Sequence, residues 1–135
     1  MQKLFTGTMF DVFEVRGITV SHFVRLEIDG AKIDGESRQF IVWTELKPYV
    51  ANFIKGKEKP KSIKIIFSAP RGTLGEISPG ASAAFLNMEY RDGEIRFTSA
   101  ISQKAFSLGR ENDKLWDDYA KNFFMSNGVV YEEES

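Results

Sequence analysis

The sequence predicts an α+β fold, in which two main helices pack on one curved, mainly antiparallel sheet of about six or seven strands. Several stretches rich in β-branched and aromatic residues alternate in polarity and are joined by short turns, which favours antiparallel pairing. Two longer stretches repeat apolar residues at helical spacing, which predicts two helices. Two helices are too few for a parallel sheet, in which strands and helices alternate along the chain. The chain has 135 residues, so we expect one domain over residues 1–131 and a short acidic tail at residues 132–135.

The first half of the chain holds four predicted strands. Residues 12–20 and 23–28 alternate apolar with polar side chains and are rich in strand-forming residues. The short apolar run at residues 40–43 and the run at residues 63–68 complete this set.

A β-hairpin over residues 84–101 is the clearest local signal. Two alternating runs flank Asp92 and Gly93, which tolerate the positive φ angles of a tight turn. Residues 104–108 predict one more short strand, and the glycine- and proline-rich residues 70–82 predict an irregular loop.

The two main helices are predicted from apolar residues that recur on one side. The first is marked by Leu46, Val50, Phe53 and Ile54. Pro48 suits its first turn, and Gly56 follows as a C-terminal cap would. The second runs from Asn112 or Asp113 to about Met125, and a short helix is also compatible with residues 3–8.

The composition excludes several kinds of functional site. The chain has no cysteine, which excludes disulfides, thiolate nucleophiles, iron–sulfur clusters and thiolate zinc sites. His22 is the only histidine, so sites built from two or three histidines are excluded as well. The net charge is −1, whereas most nucleic-acid-binding proteins carry a basic excess. We therefore expect no metal and no cofactor.

Two sets of residues are candidate binding surfaces. The first is a basic patch, which either binds phosphate groups or is only a solvated loop. Its residues are Lys55, Lys57, Lys59, Lys61 and Lys64. The second is the aromatic stripe of the last helix, which either docks on the sheet or binds a partner: Trp116, Tyr119, Phe123 and Phe124.

Candidate catalytic groups are few. His22 falls between two predicted strands, where a turn histidine without a chemical role is the commoner case. Asp117 and Asp118 are adjacent on the last helix and diverge by about 100°. The glycine-rich residues 71–75 lack the ending of a P-loop. A small hydrolase-type enzyme that uses carboxylates or His22, in a pocket under the loop at residues 71–80, stays open as an alternative.

Six short motifs carry a resemblance to a known family. They are FDVF at residues 10–13, LKP at 46–48, FIKGK at 53–57, LNM at 86–88, KAFSL at 104–108 and WD at 116–117. On these motifs the chain resembles an uncharacterised family of bacterial proteins, one of the domains of unknown function, over nearly its full length. The resemblance implies no activity and no functional residues. The order of elements over residues 40–108 is also similar to half of the repeated domain of DNA sliding clamps.

These observations favour a non-enzymatic binding or interaction module, which acts through a protein partner or as a homo-oligomer. Weak nucleic-acid association through residues 55–64, on a clamp-like scaffold, is the second hypothesis. No stretch approaches the roughly 20 apolar residues of a membrane span, and the first residues lack the apolar core of a signal peptide. We therefore expect a cytoplasmic protein without a membrane partner.

Overall fold

The structure is a computed structural model that describes residues 4–5, 7–33, 39–54, 59–70, 72–103 and 111–133. Within these residues, five strands and three helices follow one another along the chain. They are β1 (Glu14–Ser21), β2 (Arg25–Asp29), α1 (Trp43–Ile54), β3 (Ser62–Ser68), α2 (Leu74–Ile77), β4 (Ala81–Arg91), β5 (Glu94–Gln103) and α3 (Glu111–Ser126). The predicted α+β class is confirmed.

The five strands form one open sheet in the order β2-β1-β3-β4-β5, and every neighbouring pair is antiparallel. The prediction of about six or seven strands is therefore wrong for the described residues. Residues 40–43 form only isolated bridges, between Phe40 and Ala31 and between Val42 and Glu14, because α1 already begins at Trp43. The strand predicted at residues 104–108 lies outside the described residues.

The predicted hairpin is confirmed as β4 and β5. Its two turn residues both have positive φ angles, 54° at Asp92 and 79° at Gly93. This is the backbone geometry that a tight primed turn requires, and its twist matches that of the flanking strands. This pair of strands could therefore be predicted from the local sequence.

One face of the sheet is apolar and carries the core. On β3, Ile63, Ile65 and Phe67 are fully buried, and the residues that pair with them on β1 and β4 are apolar too. Helix α1 covers this face through Trp43, whose ring meets the ring of Phe67 edge-on at 5.8 Å. Helix α3 covers the part formed by β4 and β5. The opposite face of the sheet carries mainly polar side chains.

Two predictions about the helices need correction. Helix α1 begins at Trp43 rather than near Leu46, so Pro48 lies inside the helix and not in its first turn. A proline there removes one helical hydrogen bond. The irregular loop predicted at residues 70–82 contains the four-residue helix α2. Of the short helix at residues 3–8, residues 4 and 5 are helical, and the proposed cap Gly56 lies outside the described residues.

The C-terminal segment is described as far as residue 133. The Glu133 carboxylate accepts from the Lys121 ammonium at 2.7 Å, and this contact raises the pKa of Lys121. The boundary between a domain at residues 1–131 and an acidic tail stays a prediction. No helix among the described residues is both long and apolar enough to cross a membrane.

Candidate functional site

The aromatic stripe of α3, predicted as a candidate interaction surface, packs against the core. Trp116 is 1% exposed, and its indole N–H donates to the backbone carbonyl of Phe85 at 2.7 Å. Phe124 is 6% exposed. Tyr119 and Phe123 are half-buried and pack against the same cluster. This stripe therefore docks on the sheet, and Trp116 and Phe124 do not lie on the surface of the folded chain.

The predicted basic patch is described only in part. Lys59, Lys61 and Lys64 are exposed, whereas Lys55 and Lys57 lie outside the described residues. The backbone N–H of Lys61 donates to the carbonyl of the last residue of β1 at 2.8 Å. This bond fixes the chain before β3 directly beside the turn that follows β1.

That turn, between β1 and β2, carries apolar side chains to the surface. Phe23 is 76% exposed and Val24 is 53% exposed. The ring of Phe23 stacks on that of Phe53, in the last turn of α1, with centroids 5.7 Å apart. His22 meets these two rings edge-on at 5.5 and 6.4 Å. We call these four residues the aromatic end, and Lys61 lies next to it.

Sequence reasoning missed the aromatic end. The second strand was expected to begin at Phe23 and to include Val24, whereas β2 begins at Arg25 and leaves both residues in the turn. Phe53 was assigned to the apolar side of its helix and is half-buried there. The only local signal is an apolar pair that follows Ser21 and His22 at a strand end.

The polar face of the sheet holds a shallow concavity of about 670 Å³. One row of side chains crosses all five strands in register at this point: Glu27, Thr19, Lys64, Glu89 and Arg96. Opposite charges on neighbouring strands stabilise a sheet by roughly 0.2–1 kcal/mol per pair. Stabilisation of the sheet is therefore enough to explain this row of side chains, without a binding role.

Those candidate catalytic groups that the structure describes do not share one site. His22 packs against two phenylalanine rings, and the Ser99 hydroxyl donates to the Asp117 carboxylate. Asp118 borders a second concavity of about 310 Å³ on α3. The described part of the loop at residues 71–80 lines neither concavity. Among the described residues, no three acidic or histidine side chains are grouped so that they could hold a metal ion.

The fold and these surfaces define an α+β protein with one antiparallel sheet, whose apolar face is covered by helices. The chain belongs to a family of unknown function, DUF5721, which it matches over residues 3–132. The predicted resemblance to such a family is confirmed, while a bacterial origin stays a prediction. No curated protein and no solved structure matches the chain, and nothing supports the similarity to a sliding-clamp domain.

Proposed function

We propose that the chain is a non-enzymatic binding module that acts through contacts between copies of itself, with the aromatic end as the contact surface. The observation that carries the proposal is the exposed ring of Phe23, which stacks on the half-buried ring of Phe53. Covering a fully exposed phenylalanine side chain contributes about 1.5–3 kcal/mol. Val24 extends the apolar surface beyond the ring pair.

A second copy fits this surface because a ring pair is self-complementary. In a two-fold dimer the same patch on both subunits forms the contact, and aromatic rings favour stacked or edge-on contact with one another. The exposed Lys59 and Lys61 would belong to the polar rim of such a contact. Because lysines of like charge then approach each other, we expect association to strengthen as salt screens them.

A second candidate function is binding of single-stranded nucleic acid. It is favoured by one observation: the exposed Lys61 is bonded through its backbone N–H to Ser21, two residues before the exposed Phe23. Bases stack on exposed aromatic rings, and lysines contact the phosphates. Such binding weakens steeply as salt rises. Its salt dependence is therefore opposite in sign to that expected for association between copies.

Sedimentation velocity over a range of concentrations, at low and high salt, tests the proposal. The variant Phe23→Ser removes the exposed ring, and Val130→Ser is the matched control because Val130 is 98% exposed on the C-terminal segment. We expect the chain and the control to associate, more strongly at high salt, and Phe23→Ser to stay monomeric.

A chain that stays monomeric at every concentration, or a Phe23→Ser variant that associates like the unchanged chain, would contradict the proposal. Fluorescence anisotropy with labelled oligothymidylate tests the second candidate. Binding seen only at low salt, and lost in both Phe23→Ser and Lys61→Ala, would support nucleic-acid binding in its place.

A further inference from the structure

A β-bulge sets the position of Arg16 in β1. The pairing of β1 with β3 shifts between Val15 and Gly17, so Arg16 is the extra residue in its strand. The backbone N–H of Gly30 donates to the Arg16 carbonyl at 3.0 Å. A Cβ atom on Gly30 would lie 1.7 Å from the carbonyl oxygen of Val15, so this close approach requires glycine. Bulges redirect side chains and are over-represented beside functional sites.

The guanidinium group of Arg16 lies over the faces of two aromatic rings. Its central carbon lies 3.9 Å from the centroid of the Phe40 ring and 5.4 Å from that of Phe85. The Nε–H donates to the hydroxyl oxygen of Ser68 at 3.3 Å. Ser68 is buried, so the hydrogen bond is anchored inside the protein. The two ring contacts and the one hydrogen bond together restrict the position of the guanidinium group.

The N–H donors at the end of this guanidinium group have no acceptor among the described residues. Within the part of the chain that the structure describes, Nη1 and Nη2 of Arg16 have neither a hydrogen-bond acceptor nor an ion-pair partner. Glu14 lies two residues away, and its Oε2 accepts the backbone N–H of Phe40 at 3.3 Å. The hydroxyl of Ser68 accepts from Nε and keeps its own hydrogen for donation.

We propose that Arg16 is an oxyanion-binding residue that takes a carboxylate or a phosphate end-on, between Nη1 and Nη2. An anion cannot bind along the Nε side of the guanidinium group, because the Nε–H already donates to the Ser68 hydroxyl. Both anions offer two oxygens side by side, which is the geometry that the planar guanidinium fork matches. Arg16 is half-buried, and lower solvent screening there strengthens the contact. This inference does not depend on the function proposed for the aromatic end.

Thermal unfolding in sodium phosphate, sodium acetate and sodium chloride at equal ionic strength tests the proposal. The variant Arg16→Lys keeps the charge but removes the fork, and Arg25→Lys is the matched control because Arg25 is exposed and pairs with Glu27. In the unchanged chain and the control, we expect phosphate or acetate to raise the unfolding temperature saturably above the chloride baseline. In Arg16→Lys, the anion should bind roughly tenfold more weakly, since a point charge replaces a bidentate contact.

A rise with phosphate alone identifies the ligand class as phosphate, and a rise with acetate identifies it as carboxylate. No rise above chloride, or an equal rise in Arg16→Lys, would overturn the proposal. A second measurement needs no variant and therefore does not depend on the variant's folding. During the anion titration, the Nε–Hε NMR signal of Arg16 should shift while that of Arg25 stays in place. A constant Arg16 signal would also overturn the proposal.

Discussion

Replacing Gly30 by alanine should be strongly destabilising, because the new methyl group would occupy the space of backbone atoms. The Cβ would lie 1.7 Å from the Val15 carbonyl oxygen and 2.7 Å from its carbonyl carbon. Neither atom belongs to a flexible side chain, so the strands must separate. Separation strains two hydrogen bonds, from Gly30 N–H to the Arg16 carbonyl at 3.0 Å and from Ile41 N–H to the Gly30 carbonyl at 2.8 Å. Overpacking and weakened bonding together predict a loss of about 3–5 kcal/mol.

Gly17→Ala is the matched control for this prediction. A Cβ on Gly17 would meet the Ile28 carbonyl oxygen at 3.6 Å, an ordinary contact, and alanine restricts the unfolded chain. The control should therefore gain about 0.5 kcal/mol or stay unchanged. Urea unfolding can be followed by tryptophan fluorescence, since Trp43 and Trp116 are both buried. If the free energy of unfolding of Gly30→Ala lies within about 1 kcal/mol of that of the unchanged chain, the close approach between β1 and the end of β2 is refuted.

Three further predictions concern single groups. Trp116→Phe removes the 2.7 Å hydrogen bond to the Phe85 carbonyl and should lower the free energy of unfolding by about 1–2 kcal/mol; an unchanged urea midpoint would contradict this role. Asp11→Asn removes a charge that pairs with Lys47 at 2.7 Å, where both side chains are largely buried, and should cost about 1–2 kcal/mol in the same assay. Burial raises the pKa of Tyr119 from its ordinary value of 10.0. As the pH rises, the tyrosine therefore ionises first in the unfolded chain. The stability that the neutral Tyr119 contributes is complete below pH 10.0 and is lost as the pH rises through the folded-state pKa. Unfolding midpoints measured in an alkaline series should therefore fall less steeply in Tyr119→Phe, and parallel curves would contradict the prediction.

Local sequence determines much of this fold. Residues 84–101 combine alternating polarity with Asp92 and Gly93, so the hairpin could be predicted without any tertiary information. The start of α1 could not be predicted in this way. The helix starts at Trp43, three residues earlier than the apolar pattern predicts. At this position the backbone N–H of Trp43 donates to the carbonyl of Phe13 at 2.9 Å, and Phe13 is distant in the sequence.

The candidate sites depend on tertiary contacts that the sequence pattern does not contain. Phe23 and Phe53 belong to a turn and to a helix end, and only packing stacks them. The same holds for Arg16, whose neighbours Phe40 and Phe85 come from separate segments of the chain. The bulge that redirects Arg16 adds one residue to a strand that otherwise alternates, and alternation alone does not reveal it.

The aromatic end is tested most directly by recording amide NMR spectra of the unchanged chain at low and high protein concentration. Contact between copies should shift the amide signals of His22, Phe23 and Phe53 as the concentration rises. Signals from Val129 and Val130, on the C-terminal segment, should keep their positions and serve as the internal reference. Spectra that do not change with concentration, or shifts confined to a different surface, would contradict the account.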